Sequence, residues 1–171
     1  PSYIALSGLY INNYARYEDA IKICSKIIDL DGYEKSNDIN YAQIYDNRGL
    51  AKSYLENEED AIIDYNRSLS IDNKRAVTLT SRAFSQMQLG NNLKALDDLN
   101  MAISIDDTIP NIYFNSSKCK QSLGDLQGSF DDCLIAFERD PNNPHIIEHK
   151  MFLEAFKESG LWDVLNNSDK E

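Results

Sequence analysis

No stretch of about 18 consecutive apolar residues occurs in this chain of 171 residues, so no segment reads as a membrane-spanning helix. No leader-like segment is visible at its start either. Basic residues are scarce: 17 Lys and Arg stand against 28 Asp and Glu, for a net charge of −11. Phosphate backbones and anionic lipid surfaces are held by clustered cations, so this balance argues against nucleic acid and against a membrane surface as partners. It favours a neutral or basic partner. Cysteine is limited to Cys24, Cys119 and Cys133, an odd number without C-x-x-C spacing. That pattern builds neither a zinc site nor a disulfide framework. It reads as three small buried apolar residues in a reducing, cytoplasmic setting. Tracts rich in Gly, Pro or Ser are absent, and the 42% hydrophobic share suffices for a core. The chain opens on Pro1, which leads to the expectation of a fragment or processed product of a longer chain.

What is present is repetition. "YEDAIKICSKIIDLD" (Tyr17–Asp31) is echoed by "EEDAIIDYNRSLSID" (Glu58–Asp72), "NLKALDDLNMAISID" (Asn92–Asp106) and "LQGSFDDCLIAFERD" (Leu126–Asp140). The register residues Ala20, Ala61, Ala95 and Ser129 lie 41, 34 and 34 residues apart. Twelve residues before each stands a small residue: Gly8, Gly49, Ala83 and Ser117. Seven after each come Ile27, Ser68, Ala102 and Ala136. Small side chains at fixed offsets predict two helix backbones in close approach, where bulk would push them apart. Ala61 is such a point, whereas Ala51 falls outside the pattern and is expected to tolerate change.

Each echo has helical periodicity, with Ala20, Ile23, Cys24, Ile27 and Ile28 on one stripe of the first. The stretch before it ("NRGLAKSYL", "SRAFSQMQL") predicts a partner helix. Gly90 and Gly124 suit left-handed C-terminal positions, and Pro110 and Pro144 suit first turns. The terminal Asp31, Asp72, Asp106 and Asp140 suit turns. The fifteen-residue echo is thus the second helix of a helix–turn–helix unit, which must stack on copies of itself to bury its apolar face. The units run over about residues 1–34, 42–75, 76–109 and 110–143 of a single domain. The long first interval is carried by Asp31–Asn40, with Gly32 breaking one helix and Asp38 capping the next; its seven extra residues are close to two helical turns and leave the buried face unchanged. Residues 144–171 are expected to form a capping helical segment, Pro144–Glu158 matching a fifth first-helix and Trp162 with Leu165 sealing the end.

The 34-residue period, the small residues just named, Tyr45 ahead of Gly49, Tyr17 ahead of Ala20, Tyr65 after Ala61 and Pro141 closing the fourth unit resemble the tetratricopeptide repeat (TPR) family. Ser7, Ile11, Lys52, Ser117 and Ser129 depart from the family pattern. The resemblance implies an all-α fold, a right-handed superhelical α-solenoid of antiparallel helix pairs.

Candidate chemistry is thin. "HIIEH" (His145–His149) places two His on one helix face, but no third zinc ligand is in evidence, and no metal or cofactor is expected. Neither a G-x-S-x-G elbow nor a Gly-rich phosphate loop occurs, and the chain does not read as an enzyme. Asp64, Asp97, Asp98, Asp131 and Asp132 lack the glycine and spacing of a calcium loop and read as a solvated outer helix face. The sequons at Asn66 and Asn115 fall inside helices; a third is at Asn166.

The family resemblance implies that first helices line a concave groove holding a peptide segment of a protein partner. Carried onto this sequence, the groove residues are Leu9, Asn12 and Asn13, then Asn47, Leu50 and Tyr54, then Ser81, Phe84 and Met87, then Phe114, Asn115 and Lys118, with His149, Phe152 and Phe156 continuing the row. Asn would meet a peptide backbone and the apolar residues would anchor side chains. The two-carboxylate clamp by which some relatives hold chaperone C-terminal tails maps onto Ala5, Leu9, Asn47, Val77 and Ser81, where only Asn47 fits; Arg82 is about 100° around the helix. A chaperone tail is therefore not the expected ligand. The expected function is a non-catalytic interaction scaffold. The alternatives are the regulatory or targeting region of a larger enzyme, and a small acidic chaperone for secreted proteins.

Overall fold

The computed structural model describes residues 3–30 and 39–160. Among them are nine helices: α1 (Tyr3–Asn12), α2 (Tyr17–Leu30), α3 (Ile39–Tyr54), α4 (Glu58–Ile71), α5 (Ala76–Gln88), α6 (Asn92–Ile105), α7 (Pro110–Ser122), α8 (Leu126–Arg139) and α9 (Pro144–Glu158). No strand occurs among the described residues. The odd-numbered helices are first helices of their units and the even-numbered ones are second helices. They group into two compact units, Pro1–Asn91 and Asn92–Glu171. Gly32 and Asp38, assigned to the break and cap of the insertion, lie outside the described residues, as do Trp162 and Leu165. The α3 helix begins ten residues before Gly49, whereas α5 and α7 begin seven before Ala83 and Ser117, so part of the insertion is helical.

The turn chemistry repeats with the sequence. Gly90 and Gly124 have φ of 75° and 86°, the left-handed conformation that closes a helix. The same place, five residues before the register residue, is held by Ala15 (φ 49°) and Glu56 (φ 60°). Those two carry a Cβ where glycine carries none, at a local steric cost. The echo-ending Asp72 and Asp106 close the other end. The Asp72 carboxylate accepts from Lys74 N at 3.1 Å. That of Asp106 accepts from Thr108 N at 3.0 Å and from its hydroxyl at 2.7 Å. These Thr108 bonds hold the Asp106 carboxyl below its ordinary range.

Between α3 and α4 the approach leaves no room for a side chain at Gly49. A Cβ on Gly49 would stand 2.8 Å from the Tyr65 ring and 3.1 Å from the Ala61 carbonyl oxygen. In the second unit serines occupy the matching points. Ser117 Oγ donates to the Ser129 carbonyl at 2.7 Å and lies 3.1 Å from Ser129 Oγ, so both departures from the repeat pattern are satisfied while fully buried. Gly8 differs, since a Cβ there meets only Asn47 Nδ2, at 4.0 Å. Ala51 is not permissive: it is fully buried in a cluster with Ile11 and Ala20, so a larger side chain would overpack it as at Ala61. The α2 stripe packs through Cys24 and Ile28 onto Tyr41, Ile44 and Tyr45 of α3, with Ile4 and Ile27 against them.

Two glycine replacements should therefore move stability in opposite directions. Gly8→Ala should stabilise by about 0.5–1 kcal/mol, the entropy gain of alanine in a helix. Gly49→Ala should cost about 1–3 kcal/mol through overpacking. Thermal melts in which Gly49→Ala is neutral would contradict the close-approach reading.

Candidate functional site

The first helices of unit one are tied by a polar chain rather than by apolar contact alone. Asn47 of α3 was expected to display its amide on an open wall, and the structure corrects this. It is buried, with 8% exposure. Its Nδ2 donates to Ser7 Oγ at 2.8 Å and to the Ile4 carbonyl at 3.3 Å, both on α1. Its Oδ1 accepts from Gln43 Nε2 at 2.8 Å. Gln43 Oε1 in turn accepts from Arg75 at 2.6 Å. Arg75 also reaches Asp46 at 3.3 Å and donates to Thr78 Oγ1 at 3.1 Å. Burial raises the Asp46 carboxyl above its ordinary range, against the opposing pull of Thr78 and Arg75. A buried amide needs partners, and Asn47 finds them on α1, 40 and 43 positions away in sequence.

The acidic positions on the second helices also require correction. Asp64, Asp98 and Asp132, read as solvated, are all buried, while Asp97 and Asp131 beside them are exposed. Asp64 lies between Arg48, at 2.6 Å, and Lys52, at 2.8 Å. Asp132 accepts from Ser116 Oγ at 2.6 Å and pairs with Lys120 at 2.6 Å. Both clusters join a first helix to the second helix of the same pair. The signal was in the sequence: Asp stands three residues after the register residue in three repeats, with a cation one residue before Gly49 and Ala83 and three residues after Gly49 and Ser117. Lys52 departs from the family pattern because it is one of these cations.

The other predicted groove residues divide by unit. In unit one, Leu9, Asn12, Asn13, Tyr54 and Phe84 are exposed, and Leu50, Ser81 and Met87 are partly buried. Tyr54 stacks on Tyr17 with ring centroids 4.8 Å apart. Ser81 faces the buried Tyr65 hydroxyl, whose pKa is pushed up chiefly by burial. In unit two, Phe114, Lys118 and His149 come together on α7 and α9. The His149 ring meets the Phe114 edge at 5.7 Å, and its Nε2 lies 2.9 Å from Ser117 Oγ. Lys118 Nζ stands 5.7 Å from the Phe114 ring centre. Asn115 is partly buried, Lys118 and Phe152 are exposed, and Phe156 stacks against Phe152 at 6.3 Å. His149 is thus engaged with Ser117, whereas His145, one turn earlier, is exposed. The three cysteines are buried thiols, and burial pushes each up to about 11.

Residues 42–75 match the model of the tetratricopeptide repeat family. No curated protein matches the chain. Among solved structures it is similar to the MamA protein, at 15% identity over 98% of this chain and 86% of that one, with a TM-score of 0.74. It is similar to YrrB, described as a TPR protein with an unusual peptide-binding site, at 18% identity over 91% and 76%, with a TM-score of 0.70. It also resembles the first TPR of Spaghetti (RPAP3) bound to the HSP90 peptide SRMEEVD, at 20% identity over 69% and 94%, with a TM-score of 0.67. At these identities the likeness is one of fold.

Two outcomes follow from this geometry. Asn47→Ala should lower unfolding free energy by about 1–3 kcal/mol, because Gln43 and Ser7 lose a buried partner; urea titration checks it, and an unchanged midpoint would contradict the burial. The second concerns His149, whose imidazole is pushed below its ordinary range by burial and then by the Lys118 ammonium. A depressed folded pKa means the unfolded chain takes the proton first. The contribution to stability is present above about pH 6.5 and is lost as pH falls through the folded value. Wild type should therefore lose melting temperature more steeply than His149→Gln between about pH 7 and 5; equal slopes would refute the assignment.

Proposed function

We propose that this chain, a tetratricopeptide-repeat protein by its repeat at residues 42–75 and by its fold, is a non-catalytic scaffold that holds a peptide segment of a protein partner on its first helices. The observation that carries this reading is the row of large apolar side chains left in water there. Leu9, Tyr54 and Phe84 are exposed on α1, α3 and α5. Such residues cost little to display singly, but repeated on successive first helices they form the apolar anchors that peptide segments use. Solved relatives in complex with HSP90 and HSP70 peptides support the reading. The groove assignment rests on the exposed residues, and Asn47 supports it from beneath by fixing α3 against α1. The three buried, unbridged cysteines support a reducing, cytoplasmic setting.

The test is affinity capture followed by calorimetry on the partner recovered. Tyr54→Ala and Phe84→Ala should each weaken binding by about 1–2 kcal/mol or more. Ile63→Ala, exposed on the second helix α4, should bind as wild type. If Ile63→Ala abolishes binding while the other two bind normally, the partner uses the second-helix face and the proposal fails.

A further inference from the structure

Charge in unit one is sorted by helix layer. The α1 helix contains no charged residue, α3 contains Asp46, Arg48 and Lys52, and α5 contains only Arg82. All four are engaged inward or toward second helices. Arg48 and Lys52 hold Asp64 of α4, Asp46 meets Arg75, and Arg82 donates to Asn66 of α4 at 2.7 Å. The exposed charges sit on the second helices and in the turns instead, at Glu18, Lys22, Lys26 and Asp29 of α2, at Glu59 and Asp60 of α4, and at Arg16, Glu56 and Lys74 between helices. What remains in water on these first helices is uncharged: the polar Asn12, Asn40 and Gln88, and a set of large apolar side chains. Leu9 is 40% exposed, Tyr54 55%, Val77 59% and Phe84 43%. Val77 and Phe84 stand seven residues apart, two turns along one face of α5.

We propose that this face selects an uncharged, apolar segment of a protein partner; the inference rests on the scaffold reading above. A carboxylate or ammonium laid on this wall would give up its hydration and meet no opposite charge, which is costly. An aliphatic or aromatic side chain gives up only unfavourable contact with water. The acidic bulk of the molecule does not reverse this selection, because none of the exposed charges of unit one stands on a first helix and salt screens them over about 10 Å. The expected ligand chemistry is therefore the opposite of an acidic tail: Leu, Ile, Phe or Tyr anchors in a neutral stretch, with an affinity that ignores ionic strength.

A phage-displayed library of random linear peptides, panned on the full chain, tests this. Recovered peptides should be enriched in Leu, Ile, Phe and Tyr and depleted in Asp, Glu, Lys and Arg. Synthetic copies should bind equally between about 50 and 500 mM NaCl. The double variant Val77→Ser with Phe84→Ser should weaken them about tenfold or more. Val77→Ile with Phe84→Leu should restore binding, and circular dichroism should show all variants folded, since both side chains are exposed. The acidic peptide SRMEEVD should not compete. Recovered peptides that are mainly charged, yet still weakened by the double variant, would overturn this inference and leave the scaffold reading standing. Peptides indifferent to the double variant bind elsewhere and would sink both.

Discussion

How near two helix backbones can come decides the architecture of each helix pair. At Gly49 the space for one methyl group is already filled by the Tyr65 ring and the Ala61 carbonyl. Contact this tight forces small residues on both helices at a fixed distance along the chain, and that requirement is what makes the sequence repeat. Ser117 and Ser129 show how far it bends: a hydroxyl fits where a methyl would, provided its donor and acceptor are used.

Tight apposition of first and second helices also creates a dry seam, and charge placed there must be neutralised locally. Arg48, Lys52 and Asp64 form one such cluster, and Lys120, Ser116 and Asp132 another. Drawing the cations of α3 into the seam clears its opposite face of charge. The internal electrostatics of the pair and the neutrality of the outward wall are thus two results of one arrangement.

Periodic features were legible from sequence, and unique long-range partners were not. Gly90, Gly124, Pro110, Pro144, Asp72 and Asp106 act through local backbone geometry, so their residue types suffice to place turns and helix starts. The 34-residue spacing gave the all-α repeat because every unit states it again. Asn47 was misplaced because a polar side chain on a helix reads as surface until its partner is known, and Ser7 is forty residues away. Asp64, Asp98 and Asp132 were misplaced for the same reason. Ala51 was judged by its absence from a pattern, whereas its burial comes from Ile11 and Ala20 of the preceding helix pair. Ala15 and Glu56 hold left-handed conformations with no glycine to announce them.

The bond from Asn47 to Ser7 has a kinetic side. With ten residues and no charge, α1 is too short to persist as an isolated helix, so its helicity is lent by its docking site. Undocking and melting of α1 are accordingly one event, a local opening that leaves the remaining helices in place. Ile4 of the same helix packs against the cluster that buries the thiol of Cys24 on α2. When α1 leaves, that thiol meets solvent. Cys24 is in this sense a clock built into the molecule, whose rate of chemical labelling counts the openings of its first helix.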